Sequence, residues 1–102
     1  MNPALSETAQ EFLKALASPA RQQILLLFVD GRERSVGEIA TEAGIGQSTA
    51  SEQLAMLRRG GLMTSRREGK TVLYFPDPQR AGQALGELQQ LLQRCCPPPA
   101  SA

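Results

Sequence analysis

Leu5, Ala9, Phe12, Leu13 and Leu16 recur at helical spacing, which predicts an amphipathic helix over residues 5–17, with Ser6 placed to cap its start. Ser18-Pro19 opens a second helix, with serine as N-cap and proline at the first helical position, where its missing N–H does no harm. The apolar run from Ile24 to Val29 fits a buried strand as well as a helix. The Ser-Pro start and the helix-forming Ala20-Arg21-Gln22-Gln23 favour a helix from Pro19 to about Asp30, ending at Gly31. Being apolar on most sides, it is expected to be the central core helix.

Gly31-Arg32-Glu33-Arg34 reads as a polar link. Ser35 with Glu38 three residues on has the spacing of a capping box, and Val36, Ile39, Ala40 and Ala43 form the apolar stripe of a third helix. Gly44-Ile45-Gly46 breaks it. A fourth helix begins near Gln47, with Ala50, Leu54 and Leu57 on one face, and Gly60-Gly61 ends it. Two short helices joined by a tight glycine-containing turn form a helix-turn-helix pattern, whose second helix presents its N-terminal face to the DNA major groove.

After Gly61 the period changes. Leu62–Arg67 and Thr71–Phe75 have strand character, with Glu68-Gly69 between them and Gly69 able to take the positive φ of a tight hairpin. Arg66, Arg67 and Lys70 cluster at the tip. A hairpin with a cationic tip directly after a recognition helix describes a winged helix-turn-helix. Pro76-Asp77-Pro78 stops the strand, and Gln79–Arg94 reads as a last helix. Its seam of Ala81, Leu85, Leu88, Leu92 and Cys95, widened by Leu91, is better suited to pairing with a second chain than to a core already supplied with a helix. The expected fold is therefore mainly α with a small β-hairpin, in the order α-α-α-α-β-β-α. Residues 1–96 form one domain, and the proline-rich residues 97–102 form a disordered tail.

Composition narrows the chemistry. A chain of 102 residues with 41% hydrophobic and 21% charged positions has the size and usage of one globular domain. Its longest apolar run is far short of a membrane span, and no basic leader precedes an apolar stretch, so a cytoplasmic protein is expected. No histidine and no Cys-x-x-Cys motif occur, which removes Ser-His, Cys-His and dithiol catalysis and argues against an enzyme. The net charge of +1 hides a partition. Met1–Leu57 holds seven acids against four bases, whereas Arg58–Lys70 holds five bases against Glu68 alone. That segment reads either as a phosphate-binding edge or as a solvated turn.

Several runs, in this order, resemble the ArsR/SmtB family of bacterial winged-helix repressors: Leu16-Ala17-Ser18-Pro19-Ala20-Arg21, Ser35-Val36-Gly37-Glu38-Ile39-Ala40, Gln47-Ser48-Thr49-Ala50-Ser51-Glu52-Gln53-Leu54, Leu57-Arg58-Arg59-Gly60-Gly61-Leu62, and Arg67-Glu68-Gly69-Lys70 before Val72-Leu73-Tyr74-Phe75. The similarity covers roughly Phe12 to Gln93. It implies a homodimer formed through the first and last helices, binding to an inverted-repeat operator in double-stranded DNA, and release when an inducer is sensed. Gln47, Ser48, Thr49, Ser51 and Gln53 are then expected to meet bases and phosphates, and Arg66, Arg67 and Lys70 to hold flanking backbone. Family members often carry Ser-His-His-Leu where this chain has Ser51-Glu52-Gln53-Leu54. Gln53 can still pair with adenine, while Glu52 is expected to point away from phosphate or to accept from cytosine.

The same resemblance directs attention to metal sensing, and the inventory argues against zinc. The positions matching the family's third-helix cysteines are Ser35 and Gly37, and those nearest its last-helix site are Asp77, Gln79, Gln90 and Gln93. Glutamine is a poor zinc ligand. Cys95 and Cys96 remain, with three readings: a soft site for As(III) or Sb(III), a reversible thiol-oxidation switch, or no role. A protein-interaction module on the same scaffold is the alternative to a DNA-binding repressor.

Overall fold

The computed structural model describes residues 4–99. Helices α1 (Glu7–Leu16) and α2 (Pro19–Leu26) are followed by strand β1 (Arg34–Ser35) and helices α3 (Val36–Ala43) and α4 (Gln47–Arg59). Strands β2 (Met63–Glu68) and β3 (Thr71–Pro76) and helix α5 (Pro78–Cys95) complete the chain. The caps lie where the sequence puts them. The side chains of Ser6, Ser18 and Ser35 accept from the N–H groups of Ala9, Arg21 and Glu38. Glu38 completes the capping box by accepting from the Ser35 N–H at 2.9 Å. Gly44 ends α3 in the left-handed conformation, and the Ile45 N–H returns to the Ala40 carbonyl at 3.0 Å, closing the turn of the helix-turn-helix.

The core centres on α4 rather than on α2. Ala50, Leu54 and Leu57 are fully buried beside Ile39, Met63 and Ile24. The second helix, expected to be buried on most sides and to reach Asp30, stops at Leu26 and continues as tighter turns in which each N–H bonds three residues back. From its apolar run only Ile24 and Phe28 are buried, and Leu26 and Val29 remain exposed. The run points apolar groups in every direction, but neighbouring elements cover the helix on one side only.

The hairpin is present, with two differences from the expectation. Strand β2 continues through Glu68, which pairs with Thr71, so the turn is Gly69-Lys70, with Gly69 at φ +63°. A third strand, β1, joins β3 through Arg34↔Tyr74 and Ser35↔Leu73, giving the antiparallel order β1-β3-β2. The supposed polar link is thus part of the sheet, and Arg34 is buried. Its guanidinium meets Asp30 at 2.7 Å and Glu42 at 2.8 Å, and lies 5.6 Å from the Phe28 ring centroid. A charge in the interior is tolerable because two carboxylates and a ring face replace its water.

Helix α1 crosses α4 at close quarters. A Cβ at Gly60 would stand 2.8 Å from Ala15 Cβ and 2.9 Å from the Glu11 carbonyl oxygen. Helix α5 starts at Pro78, behind the Asp77 cap, and packs on α1. Glu87 accepts from the Ser6 N–H at 3.0 Å and from its hydroxyl at 2.6 Å, which holds the Glu87 carboxyl below its ordinary pKa. Residues 97–99 form neither helix nor strand; residues 100–102 of the expected tail lie outside the described residues.

Candidate nucleic-acid interface

Helix geometry sorts the residues of α4. With Ala50, Leu54 and Leu57 facing inward, a turn of 3.6 residues places Ser48, Glu52 and Ala55 on the outward crest. Thr49 and Ser51 flank that crest on opposite sides, Gln47 lies at the helix start beside α3 and the wing, and all three are exposed. Gly46 supplies no side-chain cap, so the first amide N–H groups of α4 are left to solvent or to an anion. Four of the five helix residues expected to contact DNA are therefore exposed around the first turns of α4, Thr49 on the α2 side and Gln47 on the α3 side.

Gln53 is the exception. It is half-buried on the α2 side, and its Oε1 accepts from Arg21 Nη1 at 2.9 Å. Arg21 also donates to the carbonyls of Ala15 (2.9 Å) and Lys14 (2.8 Å) at the end of α1. In the sequence, Arg21 looks like an ordinary helix former. Only its spacing from Lys14 and Ala15, across the Ser-Pro turn, marks it as able to reach the end of α1.

The wing separates its three cations. Arg66 is held by Glu33 through both carboxylate oxygens, the Oε1 contact being 2.7 Å, and reaches Glu68 at 3.2 Å. Its guanidinium also lies 5.6 Å from the Phe75 ring centroid. Arg67 and Lys70 are exposed, and no ion pair engages either among the described residues. Lys70 and Thr71 share one shallow groove with Gln47 and with Ser35 and Gly37, so the wing tip stands beside the start of α4. Of the basic cluster expected at the tip, two side chains are free for an anion and one is neutralised by a residue 33 positions earlier.

Cys95 and Cys96 are exposed thiols at the far end of α5. The Cys95 thiol donates weakly to the Leu92 carbonyl at 3.6 Å. The neighbouring Cys96 thiol and partial desolvation raise its pKa above the ordinary thiol value. Among the described residues, no group of three or more His, Cys, Asp or Glu side chains is placed to hold a metal ion, and no helix is long and apolar enough to cross a membrane.

Residues 16–66 match the family described as "Helix-turn-helix domain", a span from the end of α1 to the middle of β2. Over 85 residues the chain is 40% identical to Rv0081 of Mycobacterium tuberculosis, an uncharacterized HTH-type transcriptional regulator; the match covers 82% of this chain and 74% of the relative. It is 36% identical over 98 residues to the biofilm growth-associated repressor of Agrobacterium fabrum, covering 93% and 81% of the two chains. The solution structure of the homodimeric winged helix-turn-helix DNA-binding domain of Mb0332 from Mycobacterium bovis, a possible ArsR-family transcriptional regulator, superposes with a TM-score of 0.67 at 33% identity, over 88% of this chain and 82% of that one. Motifs, fold and relatives agree: the chain belongs to the ArsR family of winged helix-turn-helix transcriptional regulators.

Proposed function

We propose that the protein is a homodimeric repressor that binds an inverted-repeat operator in the cytoplasm and leaves it when an inducer acts. The observation that carries this reading is the exposed start of α4, with Gln47, Ser48, Thr49 and Ser51 open to solvent and Lys70 beside Gln47. A helix face of short polar side chains suits base edges, and a lysine at its rim suits phosphate. Arg67 extends the phosphate contact along the wing. Gln53 contributes at the margin of the face, with its carbonyl already engaged by Arg21. The dimer is supported by Leu13 on α1 and by Leu85 and Leu92 on α5, three large apolar side chains left exposed on packed helices. The Mb0332 domain is homodimeric, and the Agrobacterium relative is a repressor.

Release is assigned to Cys95 and Cys96. Both are accessible, and both lie at the end of a helix that carries the apolar seam. Reversible oxidation would join two sulfurs, with two protons and two electrons passing to an external disulfide or peroxide. As(III) or Sb(III) would instead need a third sulfur, from the partner chain or a free thiol.

A mobility-shift titration against the DNA upstream of the protein's own coding region tests the reading. A specific complex, shifted as a dimer and lost on oxidation or on adding arsenite, is the expected result. Weak retardation equal to that of unrelated DNA would favour an interaction module instead. Equal operator affinity for reduced, oxidised, arsenite-treated, Cys95→Ser and Cys96→Ser protein would leave the two thiols without a sensory role.

A further inference from the structure

The most outward part of α4 carries a carboxylate. Glu52 lies one turn beyond Ser48 on the crest opposite Ala50, Leu54 and Leu57, and it is exposed. No ion pair or side-chain hydrogen bond engages it among the described residues, although other carboxylates of the chain (Asp30, Glu33, Glu38, Glu42, Glu87) are each bound to a partner. It is the sole acid on α4. If α4 enters a duplex by its open face, the crest points at the floor of the groove and not at the phosphate rails. A carboxylate moved there from water must find a donor or the complex is weakened.

The major groove offers few donors. Guanine presents N7 and O6, both acceptors, and thymine presents O4 and a methyl group. Adenine offers its N6 amino group beside the acceptor N7, which would repel the second carboxylate oxygen. Cytosine offers the N4 amino group with no acceptor of its own beside it. We propose that Glu52 is a specificity-determining residue that reads a cytosine in each operator half-site by accepting from its N4 amino group. This rests on the reading of α4 as the recognition helix, and it adds a residue that the face of short polar side chains does not supply.

The test is selection of bound sites from a duplex library with randomised half-sites, by the full-length wild-type protein and by Glu52→Gln and Glu52→Ala. Glu52 is exposed, and unchanged thermal unfolding of the variants checks that they fold. Wild-type protein is expected to select cytosine at one position per half-site, by about tenfold over thymine at that position. Glu52→Gln should lose that cytosine preference or exchange it for adenine, with the other positions unchanged. Replacing the cytosine with 2-pyrimidinone, which lacks the N4 amino group, should weaken the wild-type protein and leave Glu52→Ala unaffected. Retention of every base preference by both variants, with at most a uniform change in affinity, would overturn the inference while leaving the DNA-binding function standing. Failure of the wild-type protein to select any sequence would overturn the function itself.

Discussion

Arg21 on α2 donates to the Gln53 carbonyl on α4 at 2.9 Å, and two further hydrogen bonds from the same guanidinium bring in α1. The guanidinium that holds the Gln53 carbonyl also closes the last carbonyls of α1, at Lys14 and Ala15. Arg21→Ala leaves those carbonyls and the Gln53 amide without their donor. The expected cost is about 1–3 kcal/mol, seen as a lower urea midpoint with an unchanged slope. Arg21→Lys should recover little, since one ammonium cannot span the same three acceptors.

The wing separates cations that sequence alone treats as equivalent. Arg67→Ala and Lys70→Ala should each weaken binding to all DNA sequences and reduce the salt slope by about 1. Arg66→Ala should change the slope much less, because Glu33 already neutralises that guanidinium. Glu33→Gln should release Arg66 and steepen it. Affinity titrations from low to moderate salt check all four variants.

Acid should loosen the turn between α2 and β1. Hydrogen bonds from the Arg34 side chain and the Arg32 N–H hold the Asp30 carboxyl well below its ordinary value of 3.8. A carboxyl depressed on folding stabilises the protein above its unfolded pKa, and that contribution is lost as pH falls further. Wild-type thermal stability should therefore decline below about pH 4. Asp30→Asn should be less stable at neutral pH, with a shallower decline over the acid range.

Gly60 is a position where volume decides. Gly60→Ala places a methyl group against Ala15 Cβ and the Glu11 carbonyl, so α1 must move off α4. A loss of about 1–3 kcal/mol is expected in denaturant unfolding. Ala15→Gly added to it should restore only part, because the clash with the Glu11 carbonyl remains.

Local chemistry wrote much of the architecture into the sequence. Ser18-Pro19, the Ser35–Glu38 box, Gly44 and the alternation after Gly61 each act within a few residues, and each lies where it was expected. What stayed hidden was non-local. Strand β1 has two residues, too short for any period, and it exists because Tyr74 and Leu73 are there to pair with it. Arg34 looks solvated until Asp30, Glu42 and Phe28 close around it, and Arg66 looks free until the sheet brings Glu33 to it. The open face of α4 was legible because Ala50, Leu54 and Leu57 fix the helix phase. The engagement of Gln53 was not, because its partner sits on another helix.

In the proposed complex α4 enters DNA by its crest while the wing tip holds the adjacent backbone. Backbone amide chemical-shift mapping of the protein titrated with its upstream DNA tests this most directly. The largest changes are expected on Gln47–Glu52 and on Arg67–Thr71, with little change along α2. Changes concentrated on α2 or on the middle of α5, with the Gln47–Glu52 amides unmoved, would contradict it.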